Sequence, residues 1–338
     1  MSRIKGKWLL LVGVLALAAM ALAAAISDSR QTANILRHAD PWLAILALLF
    51  AVLSYIFLSF GFAYICKIFG IRASHRDLLA VGYVTIALSH LVSLGGVAGY
   101  SMRLWLLKRR GVSPEDVLAP SLFHSYLNNL VFLTILPVGL LLILLNKTLP
   151  SAAFIPIMAG SGILLFFVAA ATLLIFSGRA RIISLKFVNA VWSRVLKRAD
   201  ISSSLTRVDT ALDKGLSTIK LRPQTLLLPL LFILFDWGCT IISVEFCFDA
   251  LGQTLGAGTL LIGFVVGILL GMISLLPGGL GIQDASMAGT FTLLGASFEQ
   301  SMLAAVLFRI VYYLIPFGIS LLFFRKLLKE SRQSPSIS

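Results

Sequence analysis

The stretch Ser274-Leu-Leu-Pro-Gly-Gly-Leu-Gly-Ile-Gln-Asp284 constrains this chain more than any other. It lies among apolar runs, yet it places Pro277, Gly278, Gly279 and Gly281 just ahead of the acid Asp284. Proline removes a backbone donor, and glycine carries a large entropic cost in a helix. A helix entering this stretch breaks there. In lipid, a broken helix is tolerated only where protein or a water-filled cavity covers the freed backbone groups. Two readings follow from the stretch alone: a loop at the membrane surface, or a break inside a protein-lined site.

The membrane enters through composition. Of 338 residues, 59% are hydrophobic and 12% charged, against about 25% charged in soluble domains. Mean hydropathy is +0.98. The class is all-α, a polytopic helical bundle in one membrane domain spanning 1–338. The formal charge of +14 would suggest nucleic acid in a soluble chain. Here the basic residues fall mostly between apolar runs, so they read as topology and no nucleic-acid partner is expected. Cys66, Cys239 and Cys247 read as small apolar residues, with no disulfide and no metal.

Arg3, Lys5 and Lys7 precede an apolar run from Trp8 to Ile26, long enough to span. Its Ala23-Ala-Ala25 end also resembles a cleavage site, but the run exceeds a signal core and reads as an uncleaved first helix. Further apolar segments are Trp42–Cys66, Leu78–Leu94, Leu118–Leu145 and Phe154–Phe176. A basic segment follows over 178–222. In it Leu185, Val188, Trp192, Val195 and Leu196 share one helical face, as in a helix lying in the membrane interface. Leu205, Val208, Leu212 and Ile219 predict a second such helix. The last part holds Thr225–Ala250, Thr259–Leu276, a short piece Ala285–Leu294 and Glu299–Phe324, then a tail over 325–338.

Positive residues mark the cytoplasmic side. Leu78–Leu94 has basic loops on both sides, so it cannot cross once and obey that rule. A re-entrant hairpin near 78–110, broken at Gly95-Gly96, resolves this. The same logic makes 259–294 a hairpin entering from the other face. Gly95-Gly96 matches Gly278-Gly279, and Gly111-Val-Ser-Pro-Glu115 matches Gly295-Ala-Ser-Phe-Glu299 at almost the same spacing. The expectation is about six full spans plus two broken hairpins in an inverted repeat, with halves at 8–176 and 225–324. Such repeats place a transport site near the midplane. Both termini are expected in the cytoplasm of a bacterial inner-membrane protein.

The Leu-Pro-Gly-Gly-Leu-Gly-Ile-Gln-Asp element ending at Asp284, the matching Ser93-Leu-Gly-Gly-Val-Ala-Gly-Tyr-Ser-Met-Arg103, and the basic central segment resemble the lysylphosphatidylglycerol synthase transmembrane-domain family, also described as flippase-like. The resemblance runs from about Trp42 to Phe324. In the name-giving members a soluble aminoacyl-transferase domain follows the membrane domain. This chain stops soon after its last span, so lysyl transfer is not implied. Many relatives carry an arginine and a glutamate where Gln283 and Asp284 stand; here the acid is shorter and the basic residue is absent.

Ionisable residues inside spans are costly and face bundle interiors or cavities. The candidates for substrate binding are Gly95, Gly96, Gly99, Arg103, His124, Asn128, Asp236, Pro277, Gly278, Gly279, Gly281, Asp284 and Arg309. His124 and Asn128 are one helical turn apart and share a face; interhelical hydrogen bonding is the plain alternative. Asp236 and Arg309 each sit mid-span and call for partners, each other among the choices. Asp284 stands in a first helical turn, where capping and substrate contact are both open. Half-helices starting at the breaks would point N–H groups at an anion, and Arg103 or Arg309 would suit a headgroup phosphate.

No Walker loop, nucleotide fingerprint, H-E-x-x-H or serine-nucleophile motif is found, so no catalytic residue, metal or cofactor is expected. The preferred function is movement of a lipid or lipid-linked anionic amphiphile between leaflets. The alternative is a non-transporting scaffold or partner of a lipid- or glycan-modifying enzyme. A homo-oligomer stays open. Cysteine-accessibility labelling should find positions 108 and 197 on the cytoplasmic side and position 147 outside; labelling of the 103–110 loop from outside refutes the re-entrant hairpin.

Overall fold

The computed structural model describes residues 29–91, 97–145, 151–195, 202–274 and 276–333. The expected first span at Trp8–Ile26, together with Gly95 and Gly96, lies outside them. Every regular element among the described residues is helical. They are α1 (Ser29–Arg37), α2 (Pro41–Ile68), α3 (His75–Leu91), α4 (Val97–Lys108), α5 (Pro114–Leu145), α6 (Ser151–Phe176), α7 (Gly178–Ala190), α8 (Ser202–Leu221), α9 (Leu227–Asp249), α10 (Ala257–Ile273), α11 (Ile282–Leu293), α12 (Phe298–Phe308) and α13 (Ile315–Gln333). Short π-helical turns cover Val191–Val195 and Arg309–Leu314, and 3₁₀ turns cover Pro223–Leu226 and Pro277–Gly279. Among the described residues four continuous helices are long and apolar enough to cross a membrane: Pro41–Ile68, Pro114–Leu145, Pro223–Asp249 and Phe298–Lys329. The pair Leu165–Phe176 and Gly178–Ser193, bent by 96°, makes a fifth if counted as one span. The protein is an all-α, multi-pass membrane protein.

Two similar units follow one another along the chain. Each has a long helix followed by a helix of 17 residues and then one of 12 residues, with the break at Pro277–Gly279 between the two in the second unit. Each then ends in a 32-residue helical stretch, Pro114–Leu145 or Phe298–Lys329. At 1.5 Å per residue the 17-residue arms are about 25 Å long, short of a hydrocarbon core of about 30 Å. The units run in opposite directions, because their first helices, α2 and α9, lie antiparallel. Asp40 N–H donates to Ala250 O at 2.8 Å, Ser243 Oγ to Ala47 O at 2.8 Å, and Ser54 Oγ to Asp236 at 2.5 Å. Asp40 also caps α2, accepting from Trp42 N–H at 2.8 Å, with Pro41 in the first turn. Each 17-residue arm packs on the other unit's last helix, α3 on α13 and α10 on α5.

The second hairpin closes through small residues. A Cβ on Gly263, Gly267 or Gly271 would lie 2.3, 2.0 or 2.7 Å from Phe291, Met287 or Gln283. A glycine at every fourth position lets α10 and α11 approach closely where no hydrophobic force between lipid-bathed helices is available. In the first hairpin Gly99 is pressed against Ser89 and Thr85. Its base is tied by Arg110 Nε to Asp77 at 2.9 Å.

The basic segment departs from expectation in its second half. Helix α7 exposes Ile182, Ile183, Phe187 and Val188, and the π-helical turn after it exposes Trp192. Helix α8, expected to lie in the interface, instead buries Val208 and Leu212 against Ala119, Leu118 and Phe69. Its acids hold the bend above it: Arg181 donates to Asp209 at 2.6 Å, to Asp213, and to Ile175 O at 2.6 Å. An amphipathic face reports only that it will be buried, and here protein covers it.

Gly263, which looks like an unremarkable mid-helix glycine in the sequence, is therefore a packing residue. Gly267→Leu should destabilise the protein by about 1–3 kcal/mol through overpacking. Gly289→Ala, with open space around it, should be neutral or stabilising by up to about 1 kcal/mol. Thermal unfolding in detergent distinguishes them.

Candidate functional site

Between the two hairpins lies a cavity of about 270 Å³. Both units line it. The first supplies Ser89 and His90 from the end of α3, Tyr100 and Arg103 from α4, and Ser125, Asn128 and Asn129 from α5. The second supplies Trp237 from α9, Gly271 and Met272 from α10, Gly278 at the break, Gln283 from α11, and Tyr312 and Tyr313 from the π-helical turn.

The break at Pro277–Gly279 shapes one wall. Gly278, Gly279 and Gly281 have φ of 60°, 62° and 76°, a region that side chains with a Cβ rarely occupy. Gly278 packs against the first hairpin: a Cβ there would meet Leu91 O at 3.1 Å and His90 O at 3.5 Å. Arg309 caps the break from the other side. Its Nη1 donates to Gly278 O at 2.7 Å and its Nε to Asp284 Oδ1 at 2.9 Å, while Nη2 stands 2.9 Å from Oδ2. That last approach lies off the hydrogen-bond line, so Nη2 has no hydrogen-bond acceptor among the described residues. Asp284 Oδ2 also accepts from Gly281 N–H at 3.1 Å. The acid thus caps α11 and neutralises the buried guanidinium at once.

This corrects the suggested pairing of Arg309 with Asp236. Asp236 is buried on α9 and meets hydroxyls instead. Ser54 Oγ donates to it at 2.5 Å, and Ser54 lies 3.0 Å from Thr240 Oγ1 and 3.2 Å from Tyr312 OH. Asp236 is outside the cavity lining, joined to it through Tyr312. Proline 316 removes the N–H that would bond Tyr312 O in a regular helix; Tyr55 OH donates to that carbonyl at 2.8 Å. The Tyr55 hydroxyl is also 2.9 Å from His90 Nδ1.

Arg103 is the contrasting cation. It is 5% exposed, donates through Nε to Thr85 Oγ1 at 3.2 Å, and lies 3.9 Å from the centre of the Phe62 ring. No carboxylate pairs with it among the described residues.

Of the other sequence candidates, Asn128 lines the cavity and holds Trp237 Nε1, which donates to its Oδ1 at 3.0 Å. His124 is buried edge-on to Phe62 and lies outside the lining. Gly99 serves the α3–α4 contact. The lining residues that the sequence did not single out are mainly aromatic: Tyr100, Trp237, Tyr312 and Tyr313. Tyr313 OH is 2.9 Å from Gln283 Nε2 and 3.1 Å from its Oε1. The adjacent Tyr312-Tyr313 so near Arg309 was the available signal.

Because Asp284 and Arg309 neutralise each other out of water, losing one strands the other. Arg309→Leu should cost about 3–5 kcal/mol, and Arg309→Leu with Asp284→Leu should recover most of it. A single variant with an unchanged melting temperature in detergent would show the pair to be dispensable.

Comparison with known proteins agrees with this architecture. The family model described as "Lysylphosphatidylglycerol synthase TM region" matches residues 9–320. A UPF0104 membrane protein of Methanothermobacter thermautotrophicus is 26% identical over 319 residues, covering 91% of each chain. A second match, 34% identical over 86 residues, covers 25% of this chain and 24% of a protein of the same name and organism. With the model spanning nearly the whole length and the broken-helix elements in place, the chain belongs to the lysylphosphatidylglycerol synthase transmembrane-region family.

Proposed function

We propose that the protein moves an anionic lipid, or a lipid-linked anionic amphiphile, between the leaflets of the cytoplasmic membrane. The observation that carries this reading is Arg103: a buried guanidinium without a carboxylate partner among the described residues, on the wall of a polar cavity that both units build. Ionisable groups at membrane depth mark substrate pathways. A phosphate would supply the missing charge, and a guanidinium can meet it with two hydrogen bonds. Ser89, Asn128 and Asn129 offer neutral hydrogen bonds around it. Their uncharged chemistry suits a site that must release its ligand as well as bind it.

The scaffold alternative calls for an apolar interior and does not account for a polar cavity between the hairpins. The family likeness supports work on or beside lipids, and the oppositely directed units support a site reached alternately from two faces.

The test is reconstitution of the full chain into vesicles with a fluorescent phosphatidylglycerol, read by quenching of the outer leaflet. Wild-type protein should accelerate transfer over protein-free vesicles. Arg103→Gln should slow it roughly tenfold or more, as expected for loss of a charge-assisted hydrogen bond, with an unchanged melting temperature. No acceleration by the wild type with any anionic lipid refutes the reading.

A further inference from the structure

We propose that the polar cavity is half of a divided lipid site, that an apolar groove beside it takes the acyl chain, and that Tyr100 and Ser125 form the gate between them. The proposal rests on the anionic-lipid reading above and adds where the tail lies and what must open.

The groove has a volume of about 370 Å³, within the roughly 300–1,000 Å³ of small-molecule sites. It runs between α5 and α6 above α7 and α8. Its walls are almost wholly apolar, with Leu122, Leu130, Leu133, Phe167, Ala171 and Leu174 among them. Leu122, Phe167 and Leu174 are 37%, 60% and 41% exposed, so its rim opens on the outer face of the bundle. Tyr100, Ser125 and Asn129 belong to both the groove and the polar cavity. Groove and cavity are therefore neighbours across one thin wall. Tyr100 OH donates to Ser125 Oγ at 2.5 Å within that wall.

The internal repeat identifies the wall as the part that moves. In each unit the 12-residue arm is fastened to the long helix that follows it, by a bond between residues 25 apart. In the second unit the bond is Asp284 to Arg309; in the first it is Tyr100 to Ser125. The second fastening is a buried ion pair reinforced by the Gly278 carbonyl. The first is one hydrogen bond between neutral hydroxyls, a class roughly half as strong as charge-assisted bonds. The weak fastening is the one that separates groove from cavity, and no carboxylate or cation is stranded when it opens.

The occupant follows from the two chambers. Arg103 stands on the cavity side and accepts a phosphate. An acyl chain attached to that phosphate must leave the cavity on an apolar path, and the groove is the apolar space that shares its wall. The ligand class is a phosphate-bearing lipid with its headgroup at Arg103 and a chain along α5 and α6.

The test uses the full chain in phosphatidylcholine vesicles containing a phosphatidic acid with a photoreactive diazirine in its acyl chain. Cross-links should map to 122–133 and 167–175. Ala171→Trp, and Val168→Phe as a second filler, should lower cross-linking and lipid transfer at least tenfold. Binding of tail-less glycerol 3-phosphate should stay within twofold in both and be lost in Arg103→Gln. Tyr100→Phe, which removes the latch hydroxyl, should raise the transfer rate by roughly two- to tenfold.

Cross-links confined to other surfaces, or transfer untouched by both fillers, overturn the groove. Transfer slowed or unchanged in Tyr100→Phe overturns the gate. Equal affinity for glycerol 3-phosphate and the lipid in wild type and Ala171→Trp would mean that the cavity serves a soluble phosphate ester, which also overturns the divided site. Acceleration of lipid transfer by the wild type, which tests the anionic-lipid reading, separates failure of the groove or the gate from failure of that reading.

Discussion

The contact of Arg309 with both Asp284 and the Gly278 carbonyl makes the broken second hairpin tenable. Backbone carbonyls freed by a helix break have no water to turn to in lipid, and an unpaired charge is costlier still. Arg309 settles both problems in one place. It also positions what surrounds it. The π-helical turn that carries Arg309 brings Tyr312 and Tyr313 to the cavity wall, in keeping with the frequent use of such turns at functional sites. Proline 316, one turn further on, leaves Tyr312 O free for Tyr55. The break, its cap and the aromatic wall form one connected structure.

The two units are alike in helix lengths and order but differ in how each hairpin is held. The second is closed by three glycines that let α10 and α11 approach along their length, and by a buried ion pair. The first has one such glycine, Gly99, an ion pair of Arg110 with Asp77 at its base, and a neutral hydroxyl pair to the helix that follows. The fastening to the following helix is therefore unequal: an ion pair in the second unit and a hydroxyl pair in the first. Where α2 and α9 cross, Asp236, Ser54, Thr240 and Tyr312 share hydrogen bonds. That cluster ties the first helices of both units to the turn that carries Arg309.

The buried ions differ in how they are met. Arg309 and Asp284 satisfy each other, and Arg181 is satisfied by Asp209 and Asp213. Arg103 has a hydroxyl and an aromatic ring. Its cost is offset only in part by these, and that residue of unmet interaction is what an anion entering the cavity would use.

Much of the architecture was legible in the sequence. Pro277 and the glycines at 278, 279 and 281 announce a broken helix, because backbone chemistry acts locally and leaves its mark in residue type. The apolar composition announces the membrane. The ion pairing was not legible: Asp236, Asp284 and Arg309 are all ionisable residues in apolar surroundings, and nothing in their spacing says which two meet. Only helix packing sets Asp284 rather than Asp236 beside Arg309. Helix α8 failed for a related reason, since an apolar face of the same shape suits lipid or protein. Tyr100, Tyr312 and Tyr313 were hidden because an aromatic in an apolar run carries no local sign of where its hydroxyl will point. The sequence by itself determined where the backbone must break and that charge must be buried. The tertiary structure decided which charge is neutralised and which stays open, because pairing across distant helices depends on their register against one another, and no local pattern encodes that register.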